Sequence, residues 1–139
     1  MIRDVVFINF PAWADGLAIK SWLLAEMELL NLSLEVVYSF MSDEELLKLN
    51  KKHLNHDAYT DIITYDFRND GIEEANLCIS HQRVIANATT FKVSNAEELR
   101  RVCVHGLLHL AGHDDKDEAS KAQMRNQEQL ALNRFHVEH

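Results

Sequence analysis

One proline, four glycines and two cysteines occur in 139 residues, and no repeat, linker or low-complexity tract interrupts the chain. Cys78 and Cys103 both lie in apolar runs and read as reduced core residues. No apolar stretch approaches the ~18 residues that a membrane span needs. Met1-Ile2-Arg3-Asp4 leads straight into a short strand-like run, so no signal peptide is expected. Basic residues are few: 14 Lys and Arg against 22 Asp and Glu give a formal charge of −8. Such a chain has no bulk attraction to nucleic acid, and any binding of that kind needs a local basic patch. What is plentiful is apolar side chain, 47% of residues, which supports a globular fold. The length fits one domain, residues 1–139, large enough for its own core. These absences together point to the cytoplasm.

Residues 5–10 are apolar and β-branched, a strand ended by Pro11. Residues 13–30 are helical, with Leu17, Trp22 (or Ala18), Leu24, Met27 and Leu30 recurring near helical spacing. Residues 34–40 alternate as a second strand. Ser42 followed by Glu45 forms a capping box that opens a helix to about Lys52. A polar loop over 53–59 leads into a strand at 60–67, and a turn at 68–71 into a strand at 75–80, so these two form a hairpin. Residues 81–91 are helical with Val84, Ile85 and Ala88 inward. Ser94 and Glu97 form another cap, starting a helix that runs to Ala111. A last helix follows from Lys116, its partial apolar face made of Met124, Leu130, Leu132 and Phe135. The expectation is an α+β fold: a small four-stranded mixed sheet covered by helices. The helix ending at Ala111 is central, because it is apolar nearly all round.

That helix carries the chemistry. His105 and His109 stand four apart in an otherwise apolar run, one helical turn, so their side chains share a face at about 5–6 Å between Cβ atoms. Two imidazoles at that spacing can hold one metal ion. Two core histidines on one turn would each need a buried partner, which makes a purely structural role harder to satisfy. Gly112 suits a helix end, beyond which His113, Asp114 and Asp115 can approach the same ion from the side. In the zinc-helix pattern H-E-x-x-H-x-x-G-x-x-H the third ligand comes three residues after the glycine, which here is Asp115. His113 is a better donor type but stands one residue after the turn, and Asp114 ranks third. Gly106 occupies the slot of that pattern's general-base glutamate. Close packing against a strand and room for substrate both explain a glycine there. Cys103, two residues before His105, falls on another side of the helix and is not expected to ligate.

With this helix and the strand Thr60-Asp61-Ile62-Ile63-Thr64-Tyr65 placed, the chain resembles the YbeY family of bacterial metal-dependent endoribonucleases. The family signature H-G-x-L-H-L-x-G-Y-D-H is matched by His105-Gly106-Leu107-Leu108-His109-Leu110-Ala111-Gly112-His113-Asp114-Asp115. Its L-N-x-x-Y-R…T-D-V-L-S-F segment is matched by Leu49-Asn50-Lys51-Lys52-His53-Leu54 and the strand from Thr60, and its G-D-I-x-I-S strand by Ala75-Asn76-Leu77-Cys78-Ile79-Ser80. The resemblance covers most of the chain in order. It implies a zincin-like single domain with one zinc ion per chain, acting in ribosomal RNA maturation and ribosome quality control. It implies ribosomal RNA and the ribosome as partners, with a ribosomal or GTPase protein beside them, and neither membrane nor DNA. Four positions depart from the pattern: the third metal histidine falls on Asp115, the tyrosine on His113, the arginine held to contact the scissile phosphate on Leu54, and the strand aspartate on Asn76.

On this reading His105, His109 and Asp115 hold the ion, and Asp114 or His113 is the base unless a bound hydroxide is. With Leu54 in the arginine position, phosphate contacts fall to Lys51, Lys52, His53, His56 or Arg83. The His53-x-x-His56 pair reads as an exposed loop. Asp61 is either a partner for a ligand imidazole or a strand-end acceptor. Two other functions stay open. A metallopeptidase shares the helix geometry but lacks the glutamate at position 106. A ribosome-assembly binding factor would use zinc structurally, although structural sites are normally closed by four protein ligands and three are found here.

Overall fold

The structure, a computed structural model, describes residues 2–54 and 61–135, the side chains of residues 53 and 54 excepted. The elements in order are β1 (Asp4–Ile8), α1 (Gly16–Leu29), β2 (Glu35–Met41), α2 (Asp43–Leu54), β3 (Ile62–Asp66), β4 (Glu74–Ser80), α3 (His81–Phe91), α4 (Asn95–Leu110) and α5 (Glu118–Asn133). A 3-10 turn, Arg68–Asp70, lies between β3 and β4. The order is the one the sequence leads to, and the sheet is four-stranded and mixed, β1-β2-β4-β3. β1 pairs with β2 and β2 with β4 in parallel, while β3 and β4 form the expected antiparallel hairpin.

Local chemistry sets the boundaries. β1 stops at Ile8 because Asn9 turns to φ 57, two residues before Pro11. α1 starts at Gly16, later than the apolar spacing suggests, because Asp15 caps it: its carboxylate accepts from the Ala18 N–H at 3.1 Å. The Ser42 capping box is present in both directions, each bond 3.2 Å.

The sheet has two unequal faces. Val36, Tyr38 and Phe40 of β2 and Ala75, Leu77 and Ile79 of β4 point into the main core with α1 and α4. On the other side Cys78 meets Ile63 and Leu46 of α2 in a smaller cluster. The face that α1 buries is Ile19, Trp22, Leu23, Glu26 and Met27, whereas Leu17, expected inward, is 85% exposed. Apolar residues lie on several sides of α1, so spacing alone does not single out the packed face. Ile85 of α3 and Leu130 of α5 likewise turn outward.

α4 is buried on nearly every side, by Leu99, Val102, Cys103, Val104, Leu107, Leu108 and Leu110. The Tyr38 hydroxyl, itself buried, donates to the Cys103 carbonyl at 2.8 Å and ties the middle of α4 to β2. Cys103 is wholly buried and burial pushes its thiol up, so it stays protonated, unlike a metal ligand.

Candidate metal centre

From Arg101 to the end of α4 the partly exposed positions are Arg101, His105 and His109, spaced four apart on one stripe of an otherwise buried stretch. Ser94 starts this helix, its hydroxyl accepting from the Glu97 N–H at 3.0 Å. Its end is a Schellman turn around Gly112 at φ 99, with Gly112 N–H donating to the His109 carbonyl and His113 N–H to the Leu108 carbonyl, each at 3.0 Å. Only glycine adopts that φ without strain, and the reversal brings Asp115 back to the stripe. Arg68 secures the same end: its guanidinium holds Asp66 at 2.7 Å and donates to the Leu110 carbonyl at 2.6 Å.

Three donors converge there. The Nε2 atoms of His105 and His109 are 3.1 Å apart, and Asp115 Oδ2 lies 3.9 Å from the first and 4.0 Å from the second. In a tetrahedral zinc shell with bonds of about 2.0–2.2 Å, ligand atoms are about 3.3 Å apart. The imidazoles already stand near that separation, and Asp115, on an exposed side chain, closes the remainder by a small rotation. The donor set therefore fits a divalent ion of the zinc type. Among the described residues this is the only cluster of three or more such donors.

The imidazoles are prepared for that role. Glu128 of α5, 3% exposed, places Oε2 2.5 Å from His105 Nδ1. A carboxylate at Nδ1 keeps the proton there and leaves the Nε2 lone pair facing the cluster. Burial, and then the neighbouring His105, hold the His109 imidazole below its ordinary pKa, which favours the neutral form a metal needs. Glu128 would be a costly buried charge by itself. Its other oxygen accepts from Arg101 at 3.2 Å, and Arg101 also grips the buried Glu98. Burial alone would weaken the Arg101 cation, but the Glu98 and Glu128 carboxylates outweigh it and raise its pKa. Asp61 reaches this network through Arg101, at 3.8 Å, while its own carbonyl accepts from Ser80 N–H.

Arg101 and Glu128 were not singled out from the sequence, yet both left a trace. Arg101 is one turn before His105 on the same stripe. Glu128 interrupts the apolar spacing of Met124 and Leu132 on α5, where a carboxylate needs a buried partner. Gly106 is explained by packing: a Cβ there would meet Leu77 Cδ1 at 2.6 Å and Ile62 Cδ1 at 3.1 Å. The position faces β3 and β4, not the donors.

The other expected site residues are not among the three converging donors. His113 is half-buried on the Gly112 turn, and its backbone hydrogen-bonds the His109 ring. Asp114 is exposed and accepts from the Lys116 N–H at 3.2 Å. Lys51 and Lys52 are exposed on the last turn of α2. Arg83 holds Asp43 at 2.8 Å. The side chains of His53 and Leu54, and residue His56, lie outside the described residues.

A cavity of about 460 Å³ between α3, α4 and α5 has His105, Asp115 and Glu128 in its wall. A larger one, about 890 Å³, lies between α1, the start of α4 and residues 134–135, and contains none of the three donors.

Fold and site define an α+β protein with a histidine–histidine–carboxylate cluster at the end of a buried helix. The chain belongs to the endoribonuclease YbeY family, whose model matches residues 16–136. The endoribonuclease YbeY of Flavobacterium psychrophilum is 43% identical over 103 residues, 74% of each chain. That of Christiangramia forsetii is 38% identical over 120 residues, 86% of this chain and 84% of its own. The solution structure of TM1509 from Thermotoga maritima shares the fold at a TM-score of 0.64 and 20% identity, over 93% of this chain and 87% of that one.

Proposed function

We propose that the chain is a hydrolase of the endoribonuclease class that cuts single-stranded RNA in ribosomal RNA maturation and ribosome quality control, with one zinc ion held by His105, His109 and Asp115. The observation that carries this reading is the convergence of those three donors in a chain of a family named for endoribonuclease activity. An ion held by His105, His109 and Asp115 would supply Lewis acidity for phosphate-ester hydrolysis. The protein's part is orientation. Glu128 keeps the proton on His105 Nδ1, and the burial of His109 keeps that ring neutral. Asp114 and His113, next to Asp115 in the chain, are the proposed proton acceptors. Lys51, Lys52, His53 and Arg83 are the proposed phosphate contacts, and Arg83 reaches a phosphate only by releasing Asp43.

The whole chain acts as a single hydrolase domain in the cytoplasm on this reading. Its partners are ribosomal RNA and the ribosome, with a ribosomal or GTPase protein as a docking partner that offsets the −8 charge. No helix among the described residues is long and apolar enough to cross a membrane. A peptidase is disfavoured because position 106, where its glutamate base would stand, faces Leu77 and Ile62.

The test is metal content and cleavage together, on protein purified without metal-affinity steps. The natural chain is expected to carry about one zinc and to cut single-stranded RNA. His109→Ala should lose both, and Asp115→Ala should lose most of the zinc. A zinc-loaded chain that leaves RNA intact would overturn the nuclease reading in favour of an assembly factor. Equal zinc in the natural chain and in Asp115→Ala would transfer the third position to His113.

A further inference from the structure

We propose that the cavity between α3, α4 and α5 seats one nucleotide of a single-stranded RNA next to the metal centre, its base against Phe91 and Met124 and its phosphate toward Arg125 and Lys121. This rests on the nuclease reading for the identity of the polymer, but its argument is separate. The cavity, about 460 Å³, lies within the ~300–1,000 Å³ range of small-ligand sites. His105 and Asp115 form part of its wall, so a chain crossing the three donors continues into it. Its apolar lining includes Met124, 2% exposed, and half-buried Leu132, while Phe91 at the end of α3 leaves 57% of its surface in solvent. The Arg101 guanidinium stands over the Phe91 ring at 6.0 Å from its centroid, and a ring that is otherwise more than half exposed beside an apolar floor accepts any base by stacking, without reading sequence.

Electrostatics agree with that occupant. Glu98 and Glu128 are committed inward, to Arg101 and His105, and so present little free negative charge. The remaining lining charges are Arg125 and Lys121 against Glu97, with Asp115 assigned to the ion. Arg125 is exposed and makes no ion pair among the described residues. Lys121 meets only Glu118, at 3.8 Å, and Glu118 is 91% exposed, a pair that water screens. Two cations therefore stand one helical turn apart on α5, at the open side of a pocket that begins at the metal donors.

The experiment uses the full zinc-loaded chain with 13C-labelled methionine methyls. Adenosine 5′-monophosphate is expected to shift the Met124 methyl and leave buried Met27 unmoved. Inorganic phosphate at the same concentration should shift neither. Phe91→Ala and Arg125→Glu should abolish the Met124 response. In cleavage of a labelled single-stranded hexaribonucleotide they should raise KM about tenfold, with kcat within about twofold and zinc content unchanged. If the natural chain cleaves RNA but Met124 stays silent and KM does not move, the nucleotide seat is overturned and the nuclease reading survives. If Met124 responds to the nucleotide, and not in the variants, while RNA is left uncut, the seat stands and the nuclease reading falls. A Met124 shift produced equally by phosphate alone would also overturn the seat, because no base is then being held.

Discussion

Glu128 touches the candidate centre without being one of its three donors. Its carboxylate touches His105 Nδ1 on one oxygen and Arg101 on the other, so one buried group fixes a tautomer and neutralises a cation. Glu128→Gln keeps the shape and removes the charge. Zinc affinity, measured by competition with a chromophoric chelator, should fall about 10–100-fold. Unchanged affinity would reduce Glu128 to a partner of Arg101. Gly106 is the opposite case, a residue that works by having no side chain. Alanine would gain about 1 kcal/mol of helix propensity there but would press into Leu77, an overpacking cost of about 1–3 kcal/mol. Gly106→Ala is expected to be less stable by about 1 kcal/mol in urea unfolding. A more stable variant would remove the packing account and return the position to the substrate.

At the scale of elements, the centre depends on how α4 ends. The Gly112 turn returns the chain, and the Asp66–Arg68 pair at the β3 end fastens that turn through the Leu110 carbonyl. The Arg68 guanidinium bonded to Asp66 holds that carboxyl below its ordinary range. A carboxyl depressed in the folded state stabilises above its unfolded pKa, about 3.9, and the contribution is lost as pH falls through the lower folded value. Both groups are about a third exposed, so screening limits the pair to no more than about 1 kcal/mol. Asp66→Asn should therefore cost up to that amount at pH 7. The difference between variant and parent should shrink below about pH 4 and vanish once Asp66 is protonated. Denaturant midpoints measured across pH 2–7 check this, and a difference that persists at pH 2 would place the effect in packing.

For the whole molecule, metal and fold are linked, because the three donors meet only when α4 and the turn beyond Gly112 are formed. A ligand bound only to the folded state adds about 2.7 kcal/mol at a hundredfold excess over Kd, or of order 10 °C in Tm for a chain of this size. Chelation should lower Tm by about that amount in the natural chain and leave the His109→Ala midpoint unmoved. Equal midpoints with and without chelator in the natural chain would mean that the folded cluster holds no metal.

The sequence by itself determined the element order, the two serine caps, the β3–β4 hairpin, the mixed sheet and the gathering of His105, His109 and Asp115. The elements, caps and hairpin follow from periodicity, capping and turn chemistry, the mixed sheet from the order of those elements, and the donor cluster from one helical turn plus the Gly112 reversal. The tertiary structure decided the rest. It chose which side of α1 packs, turning Leu17 outward, because apolar residues lie on several sides and only the sheet and α4 select among them. It showed Gly106 to be a contact with β4, not an opening for substrate, since no local pattern reveals what lies opposite a helix position. It supplied Glu128 from 23 residues away as the partner of His105, while Asp61, left open between an imidazole partner and a strand-end acceptor, meets Arg101 and accepts from Ser80 N–H through its carbonyl. A buried charge announces that it needs a partner, but only the packing of α4 against α5 determines which one it meets.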